Sequence, residues 1–391
     1  MRLTRAVLLL GVLASVAHAA DPPWTTFTRD IEEGFAAGES WRFTAALQRE
    51  RLLALARSGL PETPEITGAT TGLRERFEVG RHICADIAAA HGSARFVRIV
   101  EAADGAERVA VLRWLGASGL EYLSLRLVRE PSGEVAIADV YFHRAGQSLA
   151  EALRRSLVQL LPAELGAATV ELSEGERLAR DRNRELAEVR RRYAAGDYAG
   201  AMVLHSGLPR LLRDDRALLL DRVRSGLAGD PADAAEAVAA YRKAYPADIA
   251  ADLALVAHRL AARAATPGAP PVSDVRVAET LAAIDRVELV AGADPYLELL
   301  RGEAELTRDA VAPARAHASR AAEAEPALEP AHWAVLALAL RADDHAEVGR
   351  ALTVLGQRFA APVDTIAGSP EFAAFARSAA GQAWLATRSR K

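Results

Sequence analysis

Three polar side chains alternate along one predicted strand and could carry acid–base chemistry. Asp139, Tyr141 and His143 fall at every second position, so they point to one face of a sheet. A carboxylate, a phenol and an imidazole on one face are groups that a general acid–base site uses, and Arg113 or Arg126 from neighbouring strands could complete it. Residues four apart on a strand are separated by roughly 13 Å, so Asp139 cannot orient His143 directly.

The competing interpretation is that these side chains form the solvent-facing side of an antiparallel sheet. Alternation of polar and apolar residues is typical of any such sheet, and we favour this interpretation. Asp139, Tyr141, His143 and Arg126 therefore stand only as an alternative catalytic set at the rim of a ligand pocket. We expect no cofactor and no metal site, because the sequence lacks a P-loop and the Gly-x-Gly-x-x-Gly, Gly-x-Ser-x-Gly and His-Glu-x-x-His motifs.

The first twenty residues predict an export signal. Arg2 and Arg5 precede an apolar run at residues 6–16, and the Ala-His-Ala sequence at 17–19 is a small-x-small cleavage site. The run is far shorter than the ~20 residues that a membrane-spanning helix needs. No cysteine stands directly after the cleavage site, where a lipoprotein needs one. We therefore expect a periplasmic or secreted protein that is neither a lipoprotein nor inserted in a membrane after cleavage.

Residues 21–165 predict an α+β domain. Two or three helices come first, because apolar residues recur at three- and four-residue steps up to about residue 90, and the Pro-, Thr- and Gly-rich stretch 61–72 is expected to interrupt them. After that, apolar residues recur at every second position, which predicts an antiparallel meander of four strands. Ser148, with Glu151 three residues later, predicts a capping box at the start of the next helix. The four strands are predicted at residues 96–101, 109–115, 122–129 and 135–143.

This order of elements resembles the nuclear-transport-factor-2-like cone fold of the SnoaL and limonene-epoxide-hydrolase group. The resemblance covers roughly residues 24–161 and is carried by the order of helices and strands, without a diagnostic motif. It implies a sheet that wraps around the helices. The superfamily includes enzymes, ligand-binding modules and accessory domains, so this fold alone does not select a function.

Residues 166–391 predict an all-α domain of helical hairpins. In the unit that begins at Pro295, the residues Gly302, Ala314, Ala321 and Pro326 follow one another at spacings of twelve, seven and five. These spacings resemble the tetratricopeptide repeat, in which small residues let two helix backbones approach closely and proline ends the second helix. The resemblance spans roughly residues 174–361 and implies a solenoid of about four or five degenerate repeats.

Other units depart from the repeat pattern. In the unit that begins at Pro330, Gly349 and Gly356 occupy the small-residue places of the second helix. In an earlier unit Tyr241 replaces the expected small residue. The pair of helices predicted over residues 248–290 has no clean motif, which is why we describe the repeats as degenerate.

The composition argues against several functional classes. The 48 Lys+Arg residues nearly balance the 52 Asp+Glu residues, and the net charge of −4 becomes −6 when the two leader arginines are removed. A nucleic-acid partner is therefore not expected, and the Arg-rich stretch 176–193 lacks the stacking aromatics that such a partner needs. The single cysteine, Cys84, excludes an intramolecular disulfide and is expected to be a buried, inert thiol.

The predicted array of helices favours an exported protein-interaction or scaffold protein that is not an enzyme. Stacked hairpins present a groove that binds a peptide or helix of another protein. Tyr296, Glu303, His332 and Trp333 are candidate partner-binding residues on the first helices of two units, although a large apolar residue such as Trp333 is more typical of a core position between hairpins. The alternative function is a small-ligand-binding protein or enzyme with its pocket in the N-terminal cone-like domain.

Overall fold

Among the residues that the structure describes, five helices precede the sheet, more than the two or three that the sequence predicts. A computed structural model describes residues 22–75, 77–101, 107–161, 172–229, 231–264 and 271–388; the predicted leader and the predicted boundary at residue 165 lie outside these ranges. The five helices are α1 (Pro22–Ala36), α2 (Ser40–Ala46), α3 (Arg49–Arg57), α4 (Pro64–Glu75) and α5 (Val79–Ala89).

Glycine and proline set the breaks between these helices. Gly38 adopts a positive φ of 73°, a conformation that glycine tolerates, and it separates α1 from α2. The expectation that the stretch 61–72 interrupts the helices is wrong beyond its first residues. Pro64 begins α4 instead, because the first turn of a helix needs no N–H from proline.

The sheet is an antiparallel meander in which each strand pairs with the next. Its strands are β1 (Ser93–Glu101), β2 (Arg108–Gly116), β3 (Gly119–Arg129), β4 (Val135–Phe142) and β5 (Gln147–Ser148), in that order. The four predicted strands are thus confirmed. The fifth has only two residues, too few to show any alternation, and pairs Ser148 with Tyr141.

The capping box predicted after the sheet is confirmed. The Ser148 side chain accepts a hydrogen bond from the Glu151 backbone N–H, and the Glu151 carboxylate accepts one from the Ser148 N–H. Together they start helix α6 (Leu149–Gln159) directly after β5.

One face of the sheet packs against α1–α6 and forms the largest apolar core. The strands alternate, so every second side chain of β2 and β3 points to this face. Each large apolar side chain buried here contributes about 1.5–3 kcal/mol to stability, and this burial stabilises the packing of the helices on the sheet. The core side chains that are 1 % exposed or less include Ile31, Phe43, Leu52, Ile66, Ile83, Leu112, Leu123, Leu125 and Leu127.

The remainder of the described chain is helical. A 3₁₀ turn, Pro370–Phe372, precedes the last two helices. The helices are α7 (Glu174–Asp181), α8 (Asn183–Ala194), α9 (Tyr198–Gly207), α10 (Arg210–Arg213), α11 (Arg216–Ala228), α12 (Pro231–Ala244), α13 (Ala250–Ala264), α14 (Asp274–Ala291), α15 (Pro295–Leu306), α16 (Val311–Ala324), α17 (Glu329–Arg341), α18 (His345–Arg358), α19 (Val363–Ala367), α20 (Ala373–Arg377) and α21 (Ala379–Arg388).

Consecutive helices pack as pairs, and the pairs contact their neighbours. The pairs are α11 with α12, α13 with α14, α15 with α16, and α17 with α18, and α16 also packs closely against α17 of the next pair. The first helices of successive pairs also contact each other, from α11 through α13 and α15 to α17. The result is a row of hairpins, in which α11, α13, α15 and α17 lie side by side.

Two glycines allow the helices of a pair to approach closely. A Cβ atom on Gly302 of α15 would lie 3.1 Å from the Ala314 carbonyl oxygen of α16. A Cβ atom on Gly226 of α11 would lie 2.8 Å from the backbone of Ala234 in α12. The predicted contact between Gly302 and Ala314 is therefore present, and Gly226 provides a second one that the spacing did not reveal.

Replacing Gly302 by valine is expected to lower the free energy of unfolding by about 1–3 kcal/mol, because the added atoms meet backbone that cannot move independently. The measurement is urea unfolding followed by circular dichroism. Gly68 of α4 is the matched control, since no atom lies within 4 Å of the place that its Cβ would take. Gly68→Val should change stability by less than about 0.5 kcal/mol. Equal effects of the two substitutions would contradict close packing at Gly302.

Candidate functional site

The second face of the sheet is covered by the row of hairpins rather than by solvent. Val111 of β2 and Tyr122 of β3 pack in one apolar cluster with Leu253 of α13 and Leu297 of α15. Both strand residues are at most 2 % exposed. The polar side chains of this face therefore lie at an interface between sheet and helices.

A buried ionic network joins the sheet to the row of hairpins. Arg113 of β2 donates to the Asp294 carboxylate at 2.6 Å and to both oxygens of the Glu325 carboxylate at 2.9 and 2.7 Å. The Tyr122 hydroxyl donates to the other Asp294 oxygen at 2.5 Å. Arg95 of β1 adds an ion pair to Glu325 at 3.0 Å from its half-exposed position. Asp294 and Glu325 precede α15 and α17, so the network connects two successive hairpins to three strands.

Electrostatics keep this network charged. Burial raises the pKa of the Glu325 carboxyl, but the hydrogen-bonded Arg113 guanidinium outweighs burial, and the net pKa is lowered. Burial lowers the pKa of Arg113, while its two carboxylate partners more than restore it. Arg113 is only 1 % exposed. The charges are thus fully desolvated, and each depends on the others for stability.

Tyr141 and His143 also lie at the interface. The Tyr141 hydroxyl donates to Asp248, which precedes α13, and accepts from Arg216 at 3.1 Å. His143 is 5 % exposed, and its Nε2 lies 2.8 Å from the Ser124 hydroxyl of β3. Burial, together with the nearby Arg98 charge and against that of Asp248, lowers the pKa of His143 to about 4. Its imidazole is therefore neutral at pH 7.

The other two members of the alternative catalytic set lie in different environments. Asp139 accepts hydrogen bonds from the backbone N–H groups of Val140 at 2.8 Å and Ala150 at 3.2 Å, and so stabilises the first turn of α6. Arg126 is half-exposed and donates to the Glu107 carboxylate at 2.8 Å. Of the four candidates, Tyr141 and His143 meet edge to face with their ring centroids 5.1 Å apart, whereas Asp139 and Arg126 each have separate partners.

Sequence reasoning missed the acidic residues that meet the sheet. Asp215, Asp248, Asp294 and Glu325 stand directly before α11, α13, α15 and α17, respectively, or within a few residues of their starts. Asp248, Asp294 and Glu325 contact side chains of the sheet, whereas Asp215 pairs with Arg155 of α6 at 3.9 Å. Their recurrence at the start of each first helix is the signal that could have identified them.

A cleft of about 380 Å³ opens between the β2–β3 turn and helices α13 and α15. Two of the four candidate partner-binding residues, Tyr296 and Glu303, line it. They are seven residues apart on α15 and thus on one face of the helix. The rest of its wall is mainly apolar, with Arg144 from the loop after β4 and Arg224 from α11. The other lining side chains include Leu120, Leu227, Leu253, Ala254, Ala257, His258, Leu260 and Leu300.

The charged groups of this cleft are unequally solvated. Glu303 stays exposed to the cleft, yet the protein around its carboxyl displaces enough water to raise its pKa. Burial, followed by the Glu303 charge, raises the pKa of Tyr296 to about 12. Arg144 donates to the Ser118 carbonyl at 2.5 Å, and Arg224 donates to the Arg144 carbonyl. The cleft therefore offers an apolar floor, a carboxylate and two guanidinium groups.

The other two partner candidates lie outside this cleft. The His332 ring stacks near Phe359 with centroids 5.3 Å apart, and its Nε2 lies 3.0 Å from the Pro326 carbonyl. Trp333 is partly buried in the core of the last hairpins and donates to Glu329 at 2.9 Å. Both side chains therefore stabilise α17, and neither lines the cleft that holds Tyr296 and Glu303.

Membrane and metal features are absent from the part of the chain that the structure describes. None of the helices there has the length and apolar character needed to cross a bilayer, and no group of three or more His, Cys, Asp or Glu side chains there could hold a metal ion. Cys84 is partly buried, and this burial raises the pKa of its thiol. Comparisons with protein-family models, curated proteins and solved structures found no match to this chain.

Proposed function

We propose that this chain is an exported scaffold protein that binds a peptide segment of another protein and is not an enzyme. The observation that carries the proposal is the cleft between the β2–β3 turn and helices α13 and α15, because it combines an apolar floor with charged groups of both signs. Extended peptides are recognised by this combination, in which apolar pockets bind side chains and charges fix their direction.

A tetratricopeptide-like solenoid is the architecture we infer for residues 166–391. The pairing of helices, the side-by-side contacts of their first members, and the close approaches at Gly302 and Gly226 support it. So does the recurrence of a carboxylate at the start of α13, α15 and α17. In such an array the first helices form the binding face.

The N-terminal domain restricts that binding face. The sheet contacts the starts of α13, α15 and α17, and the cleft beside the β2–β3 turn leaves residues of α13 and α15 open to the proposed partner. The opposite, inner face of the sheet is filled by the apolar side chains of α1–α6. For this reason we place the partner in the cleft between sheet and helices, not in a cone interior.

The test is a selection of random short peptides on purified protein lacking the leader, followed by anisotropy titration of the enriched peptides. Glu303→Lys reverses a cleft charge without touching the apolar core, and it is expected to weaken binding by about tenfold or more. His332→Ala is the matched control on the neighbouring first helix. It should leave the affinity unchanged, because His332 faces Phe359 and Pro326.

Two results would contradict the proposal. Failure to enrich any peptide that binds the folded protein would count against peptide binding altogether. Enriched peptides that bind Glu303→Lys as tightly as the original protein, or that lose affinity in His332→Ala, would show that the partner site lies elsewhere.

A further inference from the structure

A second cleft, of about 330 Å³, lies among helices α9, α10, α11 and α12, and none of its lining residues belongs to the sheet. It takes no part in the proposed peptide site. Its walls combine apolar side chains with a histidine and three arginines. The lining residues that matter are Met202, His205, Arg210, Arg213, Leu219, Arg222 and Ala240.

Two of the three arginines are already neutralised. Arg222 is 14 % exposed and pairs with Asp233 at 2.7 Å and Glu236 at 3.0 Å. Arg210 is highly exposed and pairs with Asp214 at 3.3 Å. Both guanidinium groups are therefore already compensated by a carboxylate.

Arg213 differs from both. It is half-buried, and its guanidinium has no hydrogen bond or ion pair to any residue in the described part of the chain. Its Nε is shielded from solvent and unpartnered. A partly desolvated guanidinium without a counter-charge is unfavourable, and an incoming anion would relieve that cost.

His205 is the second unpartnered group. It is 3 % exposed, its Nε2 is shielded and unpaired, and it lines the same cleft. Burial, reinforced by the charges of Arg222 and Arg213, lowers the pKa of the imidazole, so the ring is neutral at pH 7 and can donate one hydrogen bond.

We propose that this cleft binds a small monocarboxylic acid, whose carboxylate pairs with Arg213 and whose apolar body contacts Met202, Leu219 and Ala240. One unpaired guanidinium calls for one negative charge, and its planar donors fit a carboxylate in a bidentate pair. A dianion would meet repulsion from Asp214 and Glu236, which lie in the same wall. The neutral ring of His205 supplies a further donor.

The test is calorimetric titration of the full chain with butyrate and with its uncharged analogue butyramide. Butyrate is expected to bind and butyramide is not. Arg213→Met should weaken butyrate binding by about tenfold or more, and Arg213→Lys should restore part of it. Arg191→Met is the matched control, because Arg191 of α8 is exposed, pairs with Glu188 and does not line the cleft, and it should bind butyrate as the original protein does.

A structural readout separates lost binding from lost folding. Arg213 has no partner to lose, so Arg213→Met should keep the original unfolding temperature, and the ring nitrogens of His205 should shift in NMR spectra as butyrate saturates the original protein. Absence of butyrate binding, equal binding of butyramide, or unchanged affinity in Arg213→Met would each overturn the proposal. If Arg213→Met unfolds, the butyrate affinity of Arg213→Lys and the NMR shifts of the His205 ring nitrogens would test the proposal instead.

Discussion

Replacing Arg113 by methionine is expected to lower the free energy of unfolding by about 3–5 kcal/mol, a larger effect than we expect from any other single substitution. The substitution leaves the carboxylates of Asp294 and Glu325 buried and without their guanidinium partner. Both residues are at most 4 % exposed, so water cannot replace Arg113. The measurement is urea unfolding of the full chain, followed by circular dichroism.

Two comparisons isolate the cause of this effect. Arg95→Met removes an ion pair to the same Glu325 carboxylate, but Arg95 is half-exposed, so the loss should be less than about 1 kcal/mol. The triple variant Arg113→Met, Asp294→Asn and Glu325→Gln removes all three charges, and its new asparagine side chain can still accept the Tyr296 N–H that Asp294 accepts at 3.0 Å. It should recover much of the stability, because it leaves no buried charge without its partner. If the triple variant is as unstable as Arg113→Met, unpaired charge is not the cause.

The elements that local sequence determines were predicted well. The Ser148–Glu151 capping box depends on residues three apart, and the four long strands depend on alternation within eight to eleven residues. The approach of Gly302 to Ala314 depends on residues twelve apart in one hairpin. In each case the interacting groups are close in the chain, so their spacing carries the information.

The environment of the candidate site depends on contacts between distant residues, and there the sequence was insufficient. Alternation placed Tyr141 and His143 on one face correctly, but it could not show that α13 covers that face, because Asp248 lies 107 residues after Tyr141. Arg113 and Asp294 are 181 residues apart. A polar sheet face exposed to water and one docked on a polar helical surface have the same alternation.

The second large effect is a pH dependence of opposite sign at two buried groups of the N-terminal domain. His143 has its pKa lowered to about 4, and Glu121 has its pKa raised to about 7, mainly by burial. Unfolded histidine titrates near 6.5, so the unfolded chain takes up a proton first as the pH falls from 6.5 to 4, and stability is lost over that range. The loss amounts to about 3 kcal/mol at 1.4 kcal/mol per pKa unit.

Glu121 acts in the other direction. Its unfolded pKa is near 4.5, so between pH 4.5 and 7 the folded chain holds a proton that the unfolded chain releases. The stability from this proton is complete below pH 4.5 and is lost as the pH rises through 7, again by about 3 kcal/mol. The two groups therefore offset each other between pH 4.5 and 6.5 in the original protein.

Two isosteric variants are expected to separate these contributions. Glu121 accepts hydrogen bonds from the backbone N–H groups of Tyr122 and Arg144 at 3.0 and 2.8 Å. Glu121→Gln keeps an oxygen for both donors and removes the carboxyl group that titrates. As the pH is lowered from 7 to 4.5, its free energy of unfolding should fall by about 3 kcal/mol relative to that of the original protein. As the pH is lowered from 6.5 to 4, the free energy of unfolding of His143→Gln should rise by a similar amount relative to that of the original protein. Its neutral amide takes up no proton when the chain unfolds. Taking differences from the original protein cancels the titration of all other groups. Parallel stability curves for the three proteins would contradict both assignments, since a buried group that titrates alike in the folded and unfolded states cannot make stability depend on pH.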